Sequence, residues 1–421
     1  MSPLSISITA VILGAVWWFL HIYWITKPPS NCHLRLPPGP RGLPVIGHLH
    51  MLGNLPHRAL NDLAKKHGPI MFLRLGYVPA VVISCSTAAE LIYKTHDTVF
   101  ASRPKAQSTE CITYGEKGIT FTPYGSYWRN VRKICAQELL SASKIESLAW
   151  MRHEELVLFL KTLKQAADTR TLVDITEKVG FLVENMTFRM LFGRSRDERF
   201  DLSGIFEEIV GIVGAFNIGD YVPFLGSLDL QGLTRRARKI SKAIDKMLEI
   251  IIDEHEFVSN QKHKRTDMDF VDMLLSSKHK STSAEDQNSP TFDRASVKAI
   301  VLDLIFGAIE TSRTVIEWAM SEILKHPNVM VRLQEELTMV VGDNNIVEEA
   351  HLSKRKCPGT NLGLINIQLV VAQLVHCFEW ELPNGKTPTE LDMDEKFGLT
   401  MVRSNHLVLK PIVRGREKFP A

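Results

Sequence analysis

The sequence predicts a mainly α-helical protein with minor β sheets and a transmembrane helix at its amino terminus. Three observations carry that expectation. Apolar residues recur with helical spacing through residues 125–255 and 293–341. Strand-like runs are short and fall near the two ends of the body, at residues 70–85 and after Cys377. Residues 4–26 form a 23-residue run without a formal charge. The bulk properties agree. A chain of 421 residues, 45% hydrophobic and 23% charged, suits a globular body with a membrane segment. A net charge of +3, with no basic stripe, points to no nucleic-acid partner. Six scattered cysteines, none in a Cys-x-x-Cys pair, fit a reducing compartment better than a disulfide framework.

In chain order, the run at residues 4–26 is long enough as a helix, about 34 Å, to cross a bilayer core. A signal peptide would have a shorter apolar region, a basic start and a small-residue cleavage site. Lys27, Arg35 and Arg41 follow the run and keep the body on the cytosolic side. Three divisions are therefore expected: residues 1–27 as anchor, 28–41 as a proline-rich hinge and 42–421 as the folded body. Leu36-Pro37-Pro38-Gly39-Pro40 cannot continue a helix and reads as a stiff hinge.

The body opens with a helix at residues 56–67. Apolar runs at 70–75 and 80–85, split by Gly76 and Pro79, predict a hairpin. Thr87 and Glu90 have capping-box spacing at the start of a short helix. Residues 100–124 read as irregular. Helices follow to residue 255, interrupted near residues 217–226 by Gly219, Pro223 and Gly226. Lys262-His263-Lys264-Arg265 reads as a solvated helix end. Residues 278–290 read as a polar surface loop. Residues 293–326 give the longest helix, about 50 Å. Pro327 ends it and begins the next, through residue 341. Strand-like pieces are expected at 378–382, 399–402 and 407–413.

Three groups of residues suggest chemistry. Cys357-Pro358-Gly359 opens an apolar helical run, so the Cys357 sulfur stands near free amides and the positive end of a helix dipole. Both favour thiolate, the form that ligates iron. A buried cysteine acting as a small hydrophobe is the simpler alternative. Gly307-Ala308-Ile309-Glu310-Thr311-Ser312 lies midway along the longest helix. Gly307 and Thr311 are one turn apart and open a notch where the Thr311 hydroxyl can bond backbone or ligand, and Glu310 can feed a proton relay. A packing notch beside an exposed acid explains the same residues. Trp128 and Arg132, at i and i+4, could hold one carboxylate between indole N–H and guanidinium, or simply line an amphipathic face.

The order of these pieces is anchor, proline hinge, hairpin, Trp-x-x-x-Arg, Gly-Ala-x-Glu-Thr-Ser and Cys-Pro-Gly. Over nearly the whole chain it resembles the cytochrome P-450 family of heme-thiolate monooxygenases, in its plant microsomal form. The resemblance implies heme b, with Cys357 as axial iron ligand and Trp128, Arg132 and Arg355 on the propionates. Gly307 and Ala308 would lie against the cofactor, and Thr311 with Glu310 would serve oxygen activation and proton delivery. The substrate, a small hydrophobic molecule, would meet Phe100, Ile112, Phe121, Phe216, Phe306 and Phe397. Partners would be O2, membrane lipid and an NADPH-dependent membrane reductase docking on basic residues such as Lys133 and Lys356. The location would be the endoplasmic reticulum membrane.

The sequence also departs from the family. The heme loop of the family reads Phe-x-x-Gly-x-Arg-x-Cys. Arg355 matches, whereas Ser353 and Ala350 occupy the glycine and phenylalanine positions. The family's Glu-x-x-Arg helix and aromatic meander do not occur between Pro327 and Cys357. Glu310 and Arg313 have that spacing but lie within the longest helix. The linker Glu349-Ala350-His351-Leu352-Ser353 runs straight into Arg355-Lys356-Cys357. An internal deletion near Lys354, of roughly eighty residues, is therefore expected. It would remove the clamp behind the thiolate loop and leave strand edges near residues 70–85 unpaired. The alternative to an impaired monooxygenase is a heme-free, membrane-anchored isoform acting as a partner or decoy.

Overall fold

The computed structural model describes residues 14, 36–115, 117–196, 199, 202–260, 268–282, 292–342, 346–349 and 358–414. The body expected over residues 42–421 divides into two compact units. Among the described residues no helix is long and apolar enough to cross a membrane. The expected anchor lies outside them apart from Gly14, as does the basic run at 262–265.

The first unit holds described residues 36–97 and 217–230. Helix Pro56–His67 starts on a proline, whose missing N–H costs nothing at that position, and ends before Gly68. Strands Ile70–Leu75 and Val78–Ile83 pair antiparallel, with Met71 and Leu73 buried over Ala64. The proline run, expected as a hinge, is held against this hairpin. Phe72 N–H donates to Pro38 O at 2.9 Å, and His48 Nε2 lies 2.9 Å from Pro40 O. A Cβ on Gly39 would stand 2.1 Å from Phe72 O, so only glycine allows this approach.

The short helix Ser86–Glu90 corrects the capping-box expectation. It starts two residues early, with extended Cys85 rather than Thr87 as its N-cap and no side-chain cap bond. Thr87 is thus inside the helix, and Lys94 takes the Glu90 carboxylate at 2.6 Å. The break expected near 217–226 contains two single turns, Ile218–Tyr221 and Pro223–Gly226.

The second unit is helical, with two small sheets. Residues 100–124, expected as irregular, contain the helix Gln107–Ile112, and residues 278–282 of the expected loop belong to helix Phe270–Thr282. The three-stranded sheet runs Val173–Asp174, Val408–Val413, Phe378–Glu381, all antiparallel. Glu395–Lys396 and Val402–Arg403 form a hairpin.

The long helix, Arg294–Lys325, is started by Asp293, whose carboxylate accepts from Ser296 N–H at 2.9 Å in a reciprocal capping box. It threads two separate apolar cores. Val297, Ile300, Val301, Leu302 and Ile305 enter the first. Ile316, Met320 and Leu324 enter the second. Helix Pro358–Cys377 does the same, with Leu362 in the first core and Leu369 to Val375 in the second. The centre of the long helix therefore lies at the junction of the cores.

Buried polar groups fix the second core. Thr176 donates to Glu317 at 2.5 Å, and Arg403 lies 3.7 Å from the same carboxylate. Burial raises the Glu317 carboxyl, although Thr176 and Arg403 pull it down. Arg152, 1% exposed, donates to both oxygens of Glu349 at 2.7 and 2.8 Å.

Candidate functional site

The site is built around the middle turns of the long helix. Gly307, Thr311 and Val315 repeat every fourth residue and form an exposed stripe on a helix otherwise largely buried. A Cβ on Gly307 would meet nothing within 4 Å. The Thr311 hydroxyl donates to Gly307 O at 2.5 Å, which leaves its lone pairs toward the open side.

Glu310 is turned the other way. It is 8% exposed, takes Arg313 at 2.7 Å and accepts from the Thr400 hydroxyl at 2.9 Å. The sequence pairs Glu310 with Thr311, whereas the structure sends the two side chains to different flanks of the helix. Glu310 faces a cavity of about 580 Å³ bordered by Phe206, Ile309, Arg313, Phe397 and Thr400.

The six expected pocket residues are spread out. Phe397 borders that cavity, and Phe306 meets its wall edge-to-face through Phe206, with centroids 5.6 Å apart. Phe121 is half-buried, while Phe100 and Phe216 are exposed. Ile112 is 1% exposed inside the first core, because helix Gln107–Ile112 lies against helix Leu233–Asn260. No local spacing links Phe206 and Thr400 to Glu310, whereas Arg313 stands three residues on, in the Glu-x-x-Arg spacing noted above.

Trp128 and Arg132 do meet on one face of helix Ser126–Ile134, but not as two donors to one carboxylate. The indole N–H donates to Ile119 O at 3.1 Å, and the Arg132 guanidinium lies 5.2 Å from the indole ring centre. Arg132 is exposed and pairs with no carboxylate among the described residues. Lys133 is exposed beside it. Arg355, Lys356 and Cys357 lie outside the described residues. The Cys135 thiol, buried in the first core, is pushed up to about 12 and stays protonated, so it offers no competing thiolate. Among the described residues Cys85, Cys111, Cys135 and Cys377 form no disulfide.

The described half of the site fits a heme. The exposed stripe is small or apolar at Gly307 and Val315, half-buried Ala308 adjoins it, the space over Gly307 is open, and Arg132 is an exposed cation suited to a propionate. A second cluster, His255, Asp269 and Asp272, has metal-type donors within reach of one another. Those donors are committed to other bonds. His255 spans Ile251 O and Asp269, and Asp269 caps the Asp272 N–H.

Comparison with known proteins adds a separate line of support. The family model described as Cytochrome P450 matches residues 37–354. Cytochrome P450 CYP736A12 of Panax ginseng is 43% identical, covering 98% of this chain and 100% of the relative. Desmethyl-deoxy-podophyllotoxin synthase of Sinopodophyllum hexandrum is 31% identical over 98% of each chain. Cytochrome P450 84A1 of Arabidopsis thaliana is 29% identical over the same shares. The ginseng alignment extends over 505 positions while this chain has 421 residues, so at least 84 aligned positions have no residue here.

Proposed function

The chain belongs to the cytochrome P450 family of heme-thiolate monooxygenases, and from that premise we propose that it is a membrane-held oxygenase of small hydrophobic compounds, impaired by loss of an internal segment. Family membership makes heme iron the cofactor, and O2, a redox partner and a hydrophobic substrate the participants. The similarity to a desmethyl-deoxy-podophyllotoxin synthase supports specialised plant metabolites as the substrate class.

Heme, when bound, supplies the iron at which dioxygen is activated for insertion of one oxygen atom into substrate. The chain's own residues divide the remaining work. Cys357 would hold the iron and Arg355 and Arg132 the propionates. Trp128 would contribute mainly by seating Arg132, because its N–H is spent on Ile119 O. Gly307 and Ala308 would let the cofactor approach the helix. Thr311 keeps its proton on Gly307 O and can accept from a water on the open side. Glu310 is held by Arg313 and Thr400, and must leave Arg313 before it can refill that water with a proton. Phe121, Phe306 and Phe397 would supply apolar contacts to substrate, with Phe100 and Phe216 at the margin. Residues 4–26 would anchor the chain in the endoplasmic reticulum membrane, where an NADPH-dependent reductase meets Lys133 and Lys356.

The impairment rests on one observation above others: the match to the family model stops at residue 354, and at least 84 aligned positions are missing. Without the segment that backs the thiolate loop, Cys357 is held too loosely for full heme retention. The same observation supports a second reading, a heme-free isoform that occupies the reductase.

The test is heme per chain after expression in membranes with added hemin, beside a Cys357→Ala variant and a version lacking residues 1–27. Sub-stoichiometric heme that falls to background in Cys357→Ala supports the impaired oxygenase, and only the full-length chain should sediment with membranes. Full heme would remove the impairment. Equal heme in Cys357→Ala would remove the thiolate assignment. No heme in either, with co-purification of the reductase, would favour the decoy.

A further inference from the structure

Residues 117–122 cross the second unit as a strap whose backbone is bound by side chains rather than by a neighbouring strand. The Tyr127 hydroxyl donates to Lys117 O at 2.7 Å, and the Thr122 hydroxyl to Gly118 O at 2.6 Å. Trp128 Nε1 donates to Ile119 O at 3.1 Å. From the opposite side, Asp303 Oδ2 accepts the Ile119 N–H at 2.5 Å and the Thr120 N–H at 3.0 Å. Helix Ser126–Ile134 thus holds the Lys117 and Ile119 carbonyls, and the long helix holds the Ile119 and Thr120 amides.

The approach is close. A Cβ on Gly118 would stand 2.1 Å from Asp303 Oδ2 and 3.4 Å from Ala299 O. Lys117 adds an ion pair to Asp293 at the start of the same helix, at 2.5 Å. Asp303 precedes Gly307 by one turn, so the strap meets the helix beside one end of the exposed stripe. Phe121 is carried between the two tied ends.

We propose that Asp303 is a positioning residue for the oxygenase: its side-chain oxygen fixes the strap on the long helix one turn before Gly307 and so sets where Phe121 stands. The clamp itself stands on the geometry. Its consequence for substrate rests on the functional reading above. The half-buried Ile119 amide and the exposed Thr120 amide share one acceptor and lose both bonds if it is removed, and a half-buried donor left unpaired is costly. Packing alone does not replace an acceptor. Both amides reach a single oxygen, so a neutral amide oxygen in its place can still receive them.

Hydrogen exchange of the full chain separates these possibilities. In Asp303→Asn, the Ile119 and Thr120 amides should stay protected. In Asp303→Leu, which fills the volume without an acceptor, they should exchange at least about tenfold faster while residues 297–301 keep their protection. Gly118→Ala, which drives the carboxylate away by its Cβ, should repeat the Asp303→Leu result and covers the case in which that variant fails to fold. Exchange in Asp303→Leu as slow as in the unaltered chain would overturn the clamp.

The heme-loaded chain is then titrated with 1-phenylimidazole. A Kd weakened at least about tenfold in Asp303→Leu, and kept in Asp303→Asn, is the expected result. An unchanged Kd with a freed strap would overturn the positioning role. A chain that takes up no heme would sink the functional reading and the substrate half of this proposal with it, while the exchange result still decides the clamp.

Discussion

His255 has an acceptor at each ring nitrogen. Nδ1 lies 2.7 Å from Ile251 O and Nε2 2.9 Å from the Asp269 carboxylate. A neutral imidazole has one N–H, so two bonds to acceptors call for the doubly protonated ring. Burial works against that charge, yet the bonds to Asp269 and Ile251 outweigh it and lift His255 above its ordinary value of 6.5. The sign follows from linkage. A folded-state value above the unfolded one gives stability that is complete below about pH 6.5 and is lost as pH rises through the folded value. The urea midpoint of the unaltered chain should therefore fall above neutrality, and His255→Gln should flatten that part of the profile. A parallel profile in the variant would remove the pair from the account. Nothing in the sequence marks this contact, because His255 lies on helix Leu233–Asn260 and Asp269, 14 residues on, stands just ahead of helix Phe270–Thr282. The Asp303 clamp was hidden for the same reason, with its partners 184 and 183 positions away.

Elements were far more legible than contacts, because their ends are written locally. The bounds Pro56–His67 and Pro327–Val341 are where proline and glycine place them. The long helix begins one residue after Asp293, as a capping aspartate requires. Thr87 has the capping-box spacing but does not cap, because the turn starts at Ser86 on extended Cys85, two residues sooner. Helix Gln107–Ile112 was missed for want of any cap; Ala106 supplies no side-chain bond. Asp293 carries both the cap and the Lys117 ion pair. Asp293→Ala should cost about 1 kcal/mol of stability, read from chemical denaturation, as cap deletions generally do. A change below about 0.3 kcal/mol would mean that water or Ser296 substitutes for it.

At the scale of the whole molecule, the second unit builds two apolar cores, while strand Val78–Ile83 of the first unit has no second partner strand among the described residues. Phe72 bonds Pro38, so Met71, Leu73 and Leu75 face the partner strand at Val82, Ala80 and Val78. Val81 and Ile83 then aim their backbone groups outward, and Pro79 sits where its absent N–H does no harm. Val81 is 54% exposed and residues 78–85 carry no charge. That edge invites pairing between copies. Val81→Lys should lower the weight-average mass seen by light scattering at matched concentration, and an unchanged mass would clear the edge of blame. The other side of the hairpin is closed by residues 38–40, tucked so tightly that Gly39 has no room for a methyl group. Anyone shortening the amino terminus to obtain soluble material should cut ahead of Pro37, because a start at Arg41 would take the Pro38 acceptor from Phe72 and leave that flank of Ile70–Leu75 covered at its Arg74 end alone, by residues 46–48, with a second sticky edge beside Phe72.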